Sequence, residues 1–196
     1  MTALKQNPTT KHRLLQAAKA ELLANGGQME MSRVAVQADL STGLAYHHFS
    51  SKAGLIAAVV DAFYAPLRDI SYGAAIPLEL NWEAREKART EAMVDYFYDD
   101  EMAPLIAGRL AREPEVLDIE AAHMRALLDL GAKNIRQGQK LGVVDPRLDP
   151  EVTVSLLMGG VRLALDQAVL TDDRPPRAAL KKHIWQFIRH ALSLGG

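Results

Sequence analysis

Two runs of the chain, Arg33 to Ala38 and Thr42 to His48, read as helices, yet each is too short to stay helical alone in water. Only Asp39-Leu40 and the capping Ser41 lie between them, so neither forms without neighbours to pack against. Ser32 can cap the first run and Ser41 the second, because a short hydroxyl side chain accepts from the free N–H groups of a first turn. Asp39 is a residue type that tolerates the left-handed backbone a helix uses to stop. Before the pair, Thr10 to Asn25 reads as an amphipathic helix with Leu15, Ala18 and Leu22 at i, i+3, i+7, and Gly26-Gly27 ends it. After the pair, Ser51 caps a fourth helix from Lys52 to roughly Tyr64, where Pro66 ends or kinks it, although its period reaches across to about residue 72. An amphipathic helix followed by two short ones around a tight turn is a helix-turn-helix arrangement.

The rest of the 196 residues keeps the helical period, and no segment alternates with a period of two. Gly73 and Pro77 mark a joint. Asn81 caps a helix to about Tyr98, a shorter one spans Glu101 to Arg112, and Pro114 opens a long one to about Lys140, closed by Gly142. Asp149-Pro150-Glu151 starts a helix to about Leu170, and the last follows Pro175-Pro176 to about Leu194. With 48% apolar and 24% charged residues there is ample material for a packed core. The expected fold is all-α: an amino-terminal three-helix helix-turn-helix domain, 1–52, and a larger helical domain, 53–196, with helix four linking them. The absence of cysteine removes disulfides, thiolate metal sites and cysteine nucleophiles. No run of about 18 unbroken apolar residues occurs, and Met1 to Pro8 lacks a basic-then-apolar leader pattern, so a cytoplasmic protein with no membrane partner is expected.

The net charge of -1 hides an uneven distribution. Residues 1–52 carry Lys5, Lys11, Arg13, Lys19, Arg33 and Lys52 against Glu21, Glu30 and Asp39, a net of +3, leaving -4 on the remainder. A basic head on an acidic body is the footprint of a polyanion binder. In a helix-turn-helix the second helix enters the major groove amino-terminus first, which requires small or hydrogen-bonding residues there. Ser41, Thr42, Gly43 and Leu44 meet that requirement. Gly43 costs a helix about 1 kcal/mol against alanine, so it either permits close backbone approach to a partner or is a tolerated glycine at a loop edge. Tyr46 and His47 stand where phosphate oxygens or a thymine methyl would be met, and a packing role for Tyr46 is the alternative. Lys52 opposes the dipole of its own helix, a placement that makes sense beside a phosphate.

Ser41-Thr42-Gly43-Leu44-Ala45-Tyr46-His47-His48-Phe49, followed by Ser51-Lys52 and Leu55, resembles the recognition helix and following helix of the TetR family of bacterial transcriptional regulators. The resemblance covers residues 10 to 60. It implies that Ser41, Thr42, Gly43 and Leu44 face bases, that Tyr46, His47 and Lys52 hold phosphates, and that Ser32 and Arg33 begin a helix crossing the backbone. It further implies that an arm through Lys11 and Arg13 reaches an adjacent groove, with His48 and Phe49 on the inner side. Two positions depart from the family pattern: Asp39 stands where glycine is usual, and Thr42 where a basic residue is common.

In the body, the helix after Asp149 is apolar on nearly all sides, more than one monomer core easily buries. With the last helix it offers Leu156, Gly160, Leu163, Ala164, Ile184, Phe187, Ile188 and Ala191 as a face for a second copy, the alternative being an internal helix of a monomer. The resemblance implies a pocket for a small-molecule effector between the middle helices. Trp82, Met93, Tyr96, Phe97, Met102, His123, Met124 and Met158 supply adaptable apolar surface for it, though such residues serve a plain core equally. Arg162 and Asp166, four apart, either read a polar ligand or fix the dimer register. No catalytic motif occurs and no cofactor or metal is implied; His183 and His190 have no third ligand nearby. The expected function is a non-enzymatic, ligand-responsive regulator that binds a palindromic double-stranded DNA operator as a homodimer. Repression is expected; the alternatives are an activator or a helical interaction module without an effector.

Overall fold

The computed structural model describes residues 9–72, 76–77, 79–110 and 114–194, which form nine helices and no strand among the described residues. They are α1 (Thr10–Ala24), α2 (Met31–Gln37), α3 (Thr42–Phe49), α4 (Lys52–Tyr72), α5 (Trp82–Asp99), α6 (Ala103–Ala107), α7 (Pro114–Lys140), α8 (Pro150–Leu170) and α9 (Arg177–Ala191). The joint expected at Gly73 lies outside the described residues, and the helix expected from Glu101 to Arg112 is confined to Ala103–Ala107, ending at Gly108.

Local chemistry sets most of the ends. Four helices stop with the same motif, in which a residue at positive φ lets the next N–H reach back five residues to a free carbonyl. Gly26 serves α1, with Gly27 donating to Leu22; Asp39 serves α2, with Leu40 donating to Ala35; Gly142 serves α7, with Val143 donating to Gly138. Ser193 does the same for α9, with Leu194 donating to Arg189. At the starts, side chains of Ser41, Asn81 and Asp149 accept from Leu44, Ala84 and Val152 N–H.

Two further boundaries differ from the sequence reading, each because packing outweighs local preference. α2 begins before Ser32, at Met31, because Met29 and Met31 are both buried, and its first turn has no side-chain cap. α4 runs through Pro66 to Tyr72, the extent expected of the linking helix rather than a stop near Tyr64, held by an apolar face from Leu55 through Val59 and Phe63 to Leu67. α9 stops at Ala191 rather than near Leu194, since the turn at Ser193 folds Leu192 and Leu194 back into the core.

The helix-turn-helix of α1 to α3 does not own a separate core. Leu14, Leu22, Val34, Ala45 and Phe49 belong to one apolar cluster that continues through α4 to Phe97, Leu165 and Ile184. A smaller cluster around Trp82, Ile135, Val154 and Leu192 fills the far end of the body. α8 lies against α5, α6, α7 and α9. By length and composition it is the one helix among the described residues apolar enough to cross a membrane. Its composition follows from having two apolar faces, one in the core and one outward.

Candidate nucleic-acid interface and ligand cavity

The α3 helix is fastened from below by Ala45 and Phe49, both buried, which leaves Ser41, Thr42, Gly43, Leu44, Tyr46 and His47 exposed along its outer side. Ser32 and Arg33 are exposed at the start of α2, and Lys52 at the start of α4. All nine residues expected to meet DNA therefore reach solvent on the head. The Ser41 hydroxyl oxygen is occupied in part by its cap, accepting from Leu44 N–H at 3.2 Å. A side chain added at Gly43 would meet nothing within 4 Å, so no contact inside the protein requires glycine there. Gly43→Ala is accordingly expected to stabilise the protein by about 1 kcal/mol while weakening DNA binding, read by thermal melting and by titration of a selected site. Gly54 is the opposite case, because a Cβ there would sit 2.5 Å from the Phe49 carbonyl where α3 turns into α4.

Two expectations about the head, for His48 and Arg13, are corrected. His48 faces outward beside His47, with the rings edge to face at 5.7 Å, because Ala45 and Phe49 already occupy the inner side. Arg13 does not extend as an arm: its guanidinium donates to the Ala38 carbonyl and to the Asp39 carbonyl at 3.1 Å, with the Asp39 carboxylate 3.5 Å away. It supplies donors to the carbonyls at the end of α2 and balances the charge of the aspartate at φ 54°. Lys11 lies over the Phe49 ring, 5.9 Å from its centroid.

Two adjoining cavities of about 70 Å³ and 30 Å³ lie in the body between α4, α5, α7 and α8. They share Ser71, Met93, Met158 and Val161, so two methionines stand between one chamber and the other. Of the expected ligand residues, Trp82 and Met158 line the first chamber, and Phe97, His123, Met124, Met158 and Arg162 the second. Asp166 stands behind Arg162 rather than on the wall. Tyr96 and Met102 lie elsewhere: the Tyr96 hydroxyl donates to the Phe63 carbonyl at 2.7 Å, and Met102 is buried beside Asp100, which pairs with Lys19 of the head at 3.3 Å.

The polar groups of the cavity were largely missed from sequence. In the larger chamber Glu86 pairs with Arg89, and Thr90 donates to the Glu86 carbonyl at 2.8 Å. Burial pushes the Glu86 carboxyl up, opposed by Arg89 and by a hydrogen bond with Asn134. The signal was present, since Trp82, Glu86, Thr90, Met93 and Phe97 share one helical face.

At the smaller chamber every nitrogen of Arg162 is engaged. Its Nε donates to both Asp166 oxygens at 2.8 Å, Nη1 to the Tyr64 hydroxyl at 3.0 Å and Nη2 to Glu120 at 3.0 Å. The Tyr64 hydroxyl in turn donates to Glu120 at 2.5 Å, so α4, α7 and α8 meet in one half-buried network. Burial raises the Tyr64 phenol and the Asp166 carboxyl above their ordinary values. His123 stacks on Tyr64 with centroids 4.5 Å apart and is only 7% exposed. Burial, then the neighbouring Arg68 and Arg162, lower its pKa to about 4, so the ring is neutral. Its Nδ1 has no hydrogen-bond partner among the described residues.

The outer face of α8 carries Leu156 and Leu163, 68% and 62% exposed, and Phe187 of α9 is 48% exposed. Gly160, Ala164 and Phe187 border a groove between these helices with Ile184, 5% exposed, at its floor. Ile188 and Ala191 pack partly inward against the chain's own core.

Residues 14–59 match the family described as bacterial regulatory proteins, tetR family. No curated protein sequence matches the chain. Solved structures of similar fold include the fatty acid degradation regulator FadR from Bacillus halodurans, with a TM-score of 0.79 and 18% identity over 98% of each chain. FadR from Bacillus subtilis in complex with stearoyl-CoA has a TM-score of 0.76 and 16% identity, covering 90% of this chain and 96% of that one. A tetR-family transcriptional regulator from Streptomyces coelicolor gives 0.70 and 19%, covering 93% and 82%. At these identities the likeness is one of fold.

Proposed function

We propose that this chain, whose amino-terminal domain is that of the bacterial regulatory proteins of the tetR family, is a non-enzymatic cytoplasmic repressor that binds a palindromic operator as a homodimer and leaves it when a small molecule enters the body. The observation that carries this reading is the exposed row Ser41, Thr42, Gly43, Leu44, Tyr46 and His47 on a buried-backed helix, flanked by Arg33 and Lys52. Small side chains at the amino-terminal end allow groove entry, and the longer groups beyond it reach phosphates. Residues 1–52 form the reading head, 53–196 the sensing and pairing body, and α4 belongs to both.

Pairing through Leu156, Gly160, Leu163, Ala164 and Phe187, with Ile184 beneath, would cover the outward apolar face of α8. Two heads related by a two-fold axis then read half-sites about 34–36 Å apart, or a multiple of that. The cavity reaches the head through Tyr64 of α4, so a ligand that changes the Tyr64, Glu120 and Arg162 contacts shifts the helix to which α3 is anchored.

Selection of binding sites by the purified protein from random double-stranded DNA at near-physiological salt tests the reading. Enrichment of a palindrome is the expected result, and failure of a folded dimer to enrich any sequence overturns it. On the selected site, Lys52→Ala is expected to lower affinity evenly across sequence variants and reduce the salt slope by about one phosphate contact. A change of base preference would instead remove Lys52 from the phosphate set.

A further inference from the structure

We infer that the cavity takes a slender, uncharged molecule with an apolar body and one hydroxyl group, the hydroxyl being held at Nδ1 of His123. The inference rests on the reading of the cavity as the effector site and adds the chemistry of the effector.

The shape comes first. His123, Leu127 and Asn134 lie along one face of α7, and at about 1.5 Å per residue the outer two are about 17 Å apart. Val154 to Leu165 on α8 spans the same length on the facing wall. The two chambers are therefore one narrow run interrupted by Met93 and Met158. Both are flexible thioether side chains that can swing aside and leave apolar surface behind them. Their present volumes, about 70 Å³ and 30 Å³, fall below the 300–1,000 Å³ or so of a filled ligand site, so a ligand enters by displacing these side chains.

Charge comes next. Among the described residues the charged groups on the walls are Glu86, Arg89 and Arg162. Glu86 and Arg89 pair with each other, and the donors of Arg162 are taken by Asp166, Tyr64 and Glu120. A carboxylate or phosphate would have to break such a pair before finding a cation, and an ammonium would have to break one to find Glu86. Either loses its hydration without a ready counter-charge.

Among the described residues of the smaller chamber, the buried side-chain polar atom left without a hydrogen bond is His123 Nδ1, in a ring more than nine-tenths buried on its wall. An unsatisfied ring nitrogen at this depth is costly unless a partner arrives. A hydroxyl can donate to the nitrogen or accept from its proton, so it suits either tautomer of the neutral ring.

The test uses the full chain with Trp185→Phe, leaving Trp82 on the wall of the larger chamber as the sole fluorescent reporter. It is titrated near neutral pH with decanol, decanoate, decylammonium and 1-chlorodecane. Decanol is expected to bind about tenfold or more tighter than either ion. His123→Phe is expected to weaken decanol about tenfold while leaving 1-chlorodecane unchanged, an effect that mere loss of packing would not produce. Equal or tighter binding of an ion, an unaltered decanol affinity in His123→Phe, or binding of none of the four overturns the inference. Should decanoate bind and release a selected operator, the regulator reading stands and the ligand class falls. Should decanol bind as expected and DNA selection fail, the reverse holds.

Discussion

Replacing Arg162 by methionine is expected to lower the free energy of unfolding by about 3 kcal/mol, because it strips the counter-charge from Asp166 and Glu120, whose side chains are only 20% and 22% exposed. The methionine fills much of the same space, so the loss measures the carboxylates left behind rather than a void. Tyr64 also loses a donor to its hydroxyl oxygen. The triple variant with Asp166→Asn and Glu120→Gln, which removes the stranded charges, is expected to regain most of the stability. Urea unfolding of wild type, single and triple variants reads both effects. If the single variant unfolds at the wild-type midpoint, the network is not holding α4, α7 and α8 together. Because Tyr64 belongs to α4, the single variant should also respond weakly to any ligand that releases DNA.

Acid is expected to destabilise the protein through His123. The folded ring has its pKa lowered to about 4, against about 6.5 for an unperturbed imidazole. Above about pH 6.5 both folded and unfolded states hold it neutral, and its contribution to stability is complete. Between about 6.5 and 4 the unfolded chain takes up a proton that the folded chain refuses, so stability falls as pH falls, by about 3 kcal/mol over the window. Burial opposes charging most, then Arg68 and Arg162, while Asp61 favours it. Glu86 and Asp166 act in the other direction, since their raised pKa values make the folded chain the better proton acceptor as pH drops. Both carboxylates remain in His123→Phe, so the difference between that variant and wild type isolates the imidazole. Urea midpoints from pH 7 down to pH 4 should fall more steeply for wild type than for His123→Phe. Parallel curves would contradict the neutral buried ring.

How much of this was legible in the sequence depended on whether a feature is decided locally. Helix ends set by a capping side chain or a left-handed residue, such as Ser41, Asn81, Asp149, Asp39 and Gly142, could be placed within a residue or so. Ends set by burial could not: Met31 starts α2 one turn position ahead of the serine that looked like its cap, and Ser193 carried no obvious stop. The Arg162 and Asp166 pair was legible because four residues on one helix must face each other. Its continuation to Glu120 and Tyr64 was not, since those partners lie 42 and 98 residues away along the chain. The same limit hid the cavity's polar end, where a glutamate four residues from Trp82 looks like any solvated charge until α7 closes over it. Arg13 was misread for a related reason: a basic side chain in a basic head suggests DNA, yet it answers carbonyls and a carboxylate inside its own domain.

The shared core has a consequence for how such proteins can be recombined. Since Leu14, Val34 and Phe49 pack into the same cluster as Val59, Phe63 and Phe97, the reading head is not a detachable cassette. A chimera cut at the turn before α4 would join two half-interfaces that never met, whereas one that carries α4 along moves the seam to the α4 faces against α5 and α7. The unit of inheritance for DNA specificity in this architecture is therefore four helices, and any reshuffling of sensors and heads has to preserve the fit along the fourth.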